Sequence, residues 1–383
     1  MMPENTYAAI DIGETYAKLV IGTVYKEQFK LCGAFMTPSS GINNGEVNSR
    51  GEIQKTVLEL LDKAQKVGFG ITKLIVVLPS TNLDIHRRKA KSNVLSSSQI
   101  INEKDLDTLK RATADYQLGS NEMVVGIYPI MYYLDGATVG REDPIGMKML
   151  NSIQLDAFVI SLPQLLARPI VDAIQDMEIE LLDVIPAPMA LANAITTVAE
   201  RQNGITVVDI GGKYNSASLY YRNLFCAYKQ GTCGGSIINK QLQDNLKADK
   251  QQAELVKKKY GSALASEASD LGVYYNKETG DTVKEKNIVE VVEENIATIA
   301  AEIKSNVELL SKTAMQGTIV IAGGVSNTVD IKQKLSESLG RDVNVRRLDV
   351  IGATDASFYP GISAIMYYIR EHGKKIEVDL IND

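Results

Sequence analysis

The stretch "AAIDIG" at residues 8–13 returns as "TVVDIG" at residues 206–211, an apolar β-type run closed by Asp-Ile-Gly, with Asp11 and Asp209 198 residues apart. The segments after each copy repeat as well. After the first come "YAKLVIGTV" and "QFKLCGAFM", two further strands with turn residues between them, then "GEIQKTVLELLDKAQKVG", where Ile53, Val57, Leu60, Leu61 and Ala64 recur at helical spacing, then the short buried strand "KLIVVLP". After the second come "NSASLYY", "LFCAYKQG", a helix from "GGSIINKQLQDNLK" and later the buried strand "GTIVIAGG". Two copies of meander, helix and strand predict a duplicated α/β fold, and the domain-sized period excludes a solenoid.

Each half carries an insertion. Residues 84 to 155 hold the basic "HRRKAKSN", a polar helix "NEKDLDTLKRATADY" and strands around "VVGIYPIMYYLDG", enough for a small separate module. About eighty mostly helical, charged residues separate "GTCGG" from "TIVIAGG" and are expected to form a lid beside a cleft.

A strand ending in Asp-x-Gly that turns straight into another strand leaves backbone N–H groups pointing out of the turn. Glycine permits close approach, so such a turn can cradle a phosphate. One copy is an ordinary tight hairpin; two in equivalent positions predict a polyphosphate held between facing halves. The aspartates Asp11 and Asp209 suit a Mg²⁺ ion held through its waters. Gly323 and Gly324, which end a buried strand, form a third piece, although Gly-Gly between strand and helix is also ordinary capping.

Composition limits the alternatives. A formal charge of −6 argues against a nucleic-acid footprint. Three cysteines (Cys32, Cys226, Cys233) without a CxxC pair and two histidines exclude most metal cages, disulfide frameworks and histidine-based triads. The opening "MMPENTYAAIDIG" lacks a basic segment followed by an apolar one, and no apolar run approaches a spanning helix, so a cytoplasmic place is expected.

This constellation resembles the nucleotide cleft shared by actin, the Hsp70 chaperones and the sugar kinases, a duplicated ribonuclease H-like fold. Within that superfamily the chain is similar to the FtsA family of bacterial cell-division proteins over nearly its whole length. The motifs that carry the likeness are "GINNGEVNS", "LDGATVGREDPIGM", "GTCGG", "QQAELVKKKYG", "IVIAGGVSN" and "YPGISAIMYYIREHGKK". The resemblance implies an actin-like fold with an FtsA-type inserted subdomain, divided as subdomain 1A at 1–83, 161–203 and 355–383, inserted subdomain 1C at 84–160, subdomain 2A at 204–232 and 306–354, and subdomain 2B at 233–305. It places Asp11, Gly13, Thr15 and Lys18 in a first phosphate loop and Asp209, Gly211, Gly212 and Lys213 in a second. Gly234 and Gly235 fall near a ribose. Glu254 and Lys257, an i,i+3 pair that alone would read as an exposed ion pair, fall near ribose and adenine, and Gly323 and Gly324 floor the adenine pocket. The implied cofactors are ATP or ADP with Mg. The implied partners are the FtsZ C-terminal tail at subdomain 2B, other division proteins at 1C, further copies in a filament, and the inner face of the cell membrane at the division site. Family members normally reach the membrane through an amphipathic helix after a linker; here "YYIREHGKK" is followed only by "IEVDLIND".

Two departures shape the expectations. Relatives carry a small hydroxyl residue after the first Asp-x-Gly and Gly-Thr-Thr-Asp in the second loop, whereas this chain has Glu14, then Lys213, Tyr214, Asn215 and Ser216. A carboxylate about 4 Å from a phosphate oxygen is repelled by roughly 4 kcal/mol at intermediate dielectric, which unrelieved would weaken binding about a thousandfold. We expect Glu14 and Lys213 to pair across the cleft, leaving at most a weak ATPase; the alternative has both turned to solvent. Asn295 stands where the family has an arginine that helps dock the acidic FtsZ tail, and Lys304 on the same helix is the expected substitute. Two other readings remain. A sugar-kinase-type enzyme needs a base between the halves, for which "LLDVIPAPMALANAI" offers only Asp183. A pilus-assembly-type actin-like protein is the other, without the Asp-Pro-Ile-Gly-Met signature.

Overall fold

The structure, a computed structural model, describes residues 5–93, 99–115, 121–149, 151–276, 280–315, 317–372 and 379–382. Its first sheet has five strands in the spatial order Glu180–Pro186, Lys73–Leu78, Thr6–Ile12, Tyr16–Tyr25, Gln28–Pro38. The three meander strands are antiparallel, and Thr6–Ile12 and Lys73–Leu78 run parallel, as do Lys73–Leu78 and Glu180–Pro186. Ala8, Ala9, Ile10 and the run Leu74–Leu78 are wholly buried, the unbroken apolar pattern of strands covered on both faces. Helix Arg50–Lys66 buries Ile53, Val57, Leu60 and Ala64, and Ser49 caps its start by accepting from the Glu52 N–H. Helix Tyr359–Glu371 lies against the central strands, where a methyl on Gly361 would sit 2.8 Å from Val20 Cγ2.

The second sheet repeats the pattern. Ile205–Ile210, Asn215–Tyr221 and Leu224–Gln230 form the antiparallel meander, followed by parallel strands Thr318–Ala322 and Asn344–Asp349. Registers match between the copies, with Asp11 opposite Lys18 in one and Asp209 opposite Ser216 in the other. Helices Ser236–Leu246, Lys250–Tyr260 and Glu285–Leu310 pack beside this sheet around Ile238, Leu242, Ala253, Ile296 and Ile299. One grouping from the sequence is corrected here. The resemblance assigns all of residues 355–383 to the first half, but Asp379–Asn382 pairs antiparallel with Asn344–Asp349 as the outer strand of the second sheet. Asn344–Asp349 had no partner on that side, and the backbone groups at its edge recruit the tail. Residues 373–378 lie outside the described residues.

The first insertion is a four-stranded sheet in the order Asp84–Asn93, Ser152–Pro163, Glu122–Leu134, Ala137–Gly140, with helix Glu103–Asp115 against it. It has its own small core of Ile101, Leu106, Leu109, Tyr132, Ile153 and Leu155. The "LDAFVIS" run is the middle of that sheet, pairing along both neighbours, and the fifth strand of the first sheet is Glu180–Pro186.

The halves are tied at their base by Arg346, 3% exposed, which donates to Ile195 O at 3.0 Å and to both Glu200 oxygens at 3.0 and 3.2 Å. Glu200 closes a capping box with Thr197 in the same motif. Arg346→Ala strands Glu200 and a buried carbonyl and is expected to cost about 2 to 4 kcal/mol, read from the urea unfolding midpoint.

Candidate functional site

The strands Thr6–Ile12 and Ile205–Ile210 end at the same level, and the turns after them touch. A β-carbon on Gly212 would lie 2.6 Å from Thr15 Oγ1, so glycine is what lets the second turn reach the first. Between the halves opens a cavity of about 600 Å³. Asp11, Gly13, Thr15 and Lys18 line it from one side, and Asp209, Gly211, Gly212 and Lys213 from the other. Gly235, Glu254, Lys257, Gly323 and Gly324 complete the wall on the side of the second half.

Gly234, expected near a ribose, does not line the cavity. It packs behind the second turn, where a β-carbon would fall 2.6 Å from Gly211 O and 2.8 Å from Gly212 O. The next two N–H groups bind that turn, Gly235 donating to Gly211 O at 2.9 Å and Ser236 to Gly212 O at 2.7 Å. Glu302 pins the same "GTCGG" loop, accepting from the Thr232 N–H at 2.8 Å and from Asn215 Nδ2 at 2.6 Å. Gly323 has φ 88°, and a methyl there would overlap Asp209 Oδ1 and the Ile210 backbone.

The charges around the two turns are paired with one exception. Lys18 Nζ meets Asp11 Oδ2 at 2.9 Å, cross-strand neighbours by register. Lys213 Nζ meets Glu14 Oε2 at 2.7 Å, the expected bridge across the cleft. Lys257 meets Glu254 at 2.6 Å, and Asn239 Nδ2 donates to the same carboxylate oxygen at 2.5 Å. Burial opposes the charge on Glu254, yet Lys257 and Asn239 hold its pKa below the usual range; burial also lowers that of Lys257. Asp209 is the exception. Burial, reinforced by Asp11 and only partly offset by Lys18, pushes its carboxyl up to about 6.

Several lining residues escaped the sequence reading. Tyr16 faces the second half, with Lys250 Nζ 5.9 Å from its ring centre. Asn327, Arg347 and Asp355 form a chain, Arg347 donating to Asn327 Oδ1 at 2.9 Å and Asn327 Nδ2 to Asp355 Oδ1 at 2.8 Å. Asn43 and Asn44 of "GINNG" accept from Lys213. That motif was visible as a family mark, but nothing local ties it to a lysine 170 residues beyond Asn43.

Two other expectations change. Asn295 is buried and bonded to Gln241 and to Val291 O, and Lys304, exposed nine residues on, lies about half a turn round the same helix. Lys304 therefore cannot stand in for an arginine at Asn295. Asp183, the base that the stretch joining the halves offers a kinase, opens on a different cavity with Tyr367 and Glu371.

Two facing β-meander turns at a cleft between duplicated sheets define an actin-like α/β protein, and solved structures agree. The PilM-PilN type IV pilus biogenesis complex superposes with TM-score 0.65 at 14% identity, over 95% of this chain and 98% of that one. MreB5 of Spiroplasma citri, bound to ADP, gives TM-score 0.53 at 12% identity, over 97% and 99%. Within this class the chain is similar to FtsA proteins. The family model described as Cell division protein FtsA matches residues 206–363. FtsA of Bacillus subtilis (strain 168) is 23% identical over 98% of this chain and 87% of its own length.

A carboxyl raised in the folded state binds its proton more tightly there than in the unfolded chain, so Asp209 destabilises the fold as pH rises through about 6. Asp209→Asn is expected to gain up to about 2 to 3 kcal/mol at pH 8 and little at pH 4, measured by urea unfolding of both proteins across that range.

Proposed function

We propose that this chain is a nucleotide-binding, actin-like scaffold of bacterial cell division. It binds ATP or ADP with Mg²⁺, assembles into filaments and links the FtsZ ring to the inner face of the cytoplasmic membrane. The observation that carries the nucleotide reading is the contact of the two Asp-Ile-Gly turns at Thr15 and Gly212 on the wall of one cavity. Turns of this kind present N–H groups to an anion, and the cavity is of the size usual for small-molecule sites.

The residues present fit a hydrated Mg²⁺. Asp209 has a raised pKa and Asp11 acts on it electrostatically, so a divalent cation with its waters would relieve the repulsion between them. When bound, the ion neutralises phosphate charge. Asp11 and Asp209 would hold it through water, Glu254 and Lys257 would meet the nucleoside, and Gly323 leaves room beside Asp209. Hydrolysis is at most weak in this reading, because the Lys213 cation is already committed to Glu14.

The partners come from the relationship to FtsA. The helical unit at 233–305 takes the FtsZ tail, the inserted sheet at 84–160 takes other division proteins, and the chain works peripherally at the membrane. Among the described residues no helix is long and apolar enough to cross a bilayer.

Calorimetric titration of the full chain with ADP and Mg²⁺ is expected to give saturable binding with Kd below about 100 μM. Gly212→Val, which forces the turns apart, is expected to weaken it at least about tenfold. Absence of saturable binding by the folded wild-type chain would overturn the nucleotide reading. For the partner, an FtsZ tail peptide should saturate below high micromolar concentration in a fluorescence titration, and a flat titration would remove it.

A further inference from the structure

The tips of the two turns carry an ion pair that joins the two halves. Resting on the nucleotide reading, we propose that the cleft holds a nucleoside diphosphate in preference to the triphosphate, with Glu14 and Lys213 as the specificity-determining pair.

An ammonium group has three hydrogens, and those of Lys213 have three acceptors: Glu14 Oε2 at 2.7 Å, Asn43 Oδ1 at 2.8 Å and Asn44 Oδ1 at 2.9 Å. Glu14 is held as firmly. Its side chain is 4% exposed, Oε1 accepts from the Gly45 N–H at 2.7 Å, and Oε2 accepts from the Asn44 N–H at 2.9 Å as well as from Lys213. Burial works against the charge on Lys213, but the Glu14 carboxylate outweighs it and raises the lysine pKa. The lysine beside the turns is thus saturated, and the carboxylate beside it is held by three donors.

Around the turns stand three carboxylates, Asp11, Glu14 and Asp209, against two cations, Lys18 and Lys213, each already bonded to a carboxylate. The other cations on the cavity wall sit elsewhere. Lys257 and Lys258 flank Glu254, and Arg347 bonds Asn327 and Ser326 O. A triphosphate brings one more negative charge than a diphosphate to a region where, among the described residues that line the cavity, both cations are already bonded to carboxylates. Freeing Lys213 would cost its bonds to Glu14, Asn43 and Asn44. Because Lys213 belongs to the second half and the other three to the first, it would also break a bridge between the halves. Charge and geometry both favour the diphosphate.

The test is calorimetric titration of the full-length wild-type chain, Glu14→Ser, Glu14→Gln and Lys213→Thr with ADP and with the slowly hydrolysed analogue AMPPNP, each with Mg²⁺. The wild type is expected to bind ADP at least about tenfold tighter than the triphosphate analogue. Removing the carboxylate while leaving Lys213 should bring that ratio to about one or invert it, and Lys213→Thr, which leaves Glu14 uncompensated, should widen it. Glu14→Gln keeps the shape of the side chain and removes only its charge, so it gives the answer if Glu14→Ser fails to fold. A wild-type ratio near one or favouring the triphosphate overturns the inference, as does a ratio unchanged in Glu14→Gln. Binding of neither nucleotide by folded wild-type protein overturns the nucleotide reading itself.

Discussion

Two hairpin turns press together at the centre of the molecule, and the close approach of Gly212 to Thr15 sets what the surrounding chain is able to be. For the turns to meet, the strands behind them must end at one level, which the duplicated meanders supply through matching registers. The backbone around the turns must also stay thin. Gly234 sits where any side chain would strike the second turn, and Gly323 where one would strike Asp209. These glycines are required by approach distance, and in the case of Gly323 by a positive φ as well.

Bringing the turns together also brings carboxylates together, and the molecule answers that cost at two of the three. Asp11 is neutralised by its cross-strand lysine, Glu14 by a lysine from the opposite half and by two backbone N–H groups, and Asp209 by neither. Burial, and after it the repulsion from Asp11, raises the pKa of Asp209. The Glu14–Lys213 pair is therefore both an electrostatic repair and a clasp between halves. Further out, Arg346 with Glu200 and the hydrogen bond of Tyr228 to Ser80 O at 3.0 Å join the same two halves through groups withdrawn from water.

Much of this was legible beforehand. The meander strands, the helix at 50–66 and the buried strand at 73–78 can be read from hydrophobic period and turn residues, because their burial patterns are regular and local. The glycines and aspartates of the cleft could be picked out because a repeated Asp-Ile-Gly marks its own position twice. What failed did so for want of a local signal. Asn327, Arg347 and Asp355 come from separate segments and meet only through packing. Lys304 shares a helix with Asn295, but helical phase puts the two on opposite sides, and a shared element does not make a shared face.

The order of strands and helices, their repetition and the residue types at each turn were determined by the sequence alone, because side-chain period and backbone permissiveness act over a few residues. Tertiary structure decided which distant charges became partners. Glu14 with Lys213, the asparagines that saturate that lysine, and the tail strand paired to the far sheet all depend on chain segments far apart in sequence being folded into contact. The energy of such contacts depends on distance in space and on burial, and neither is written in the spacing of letters.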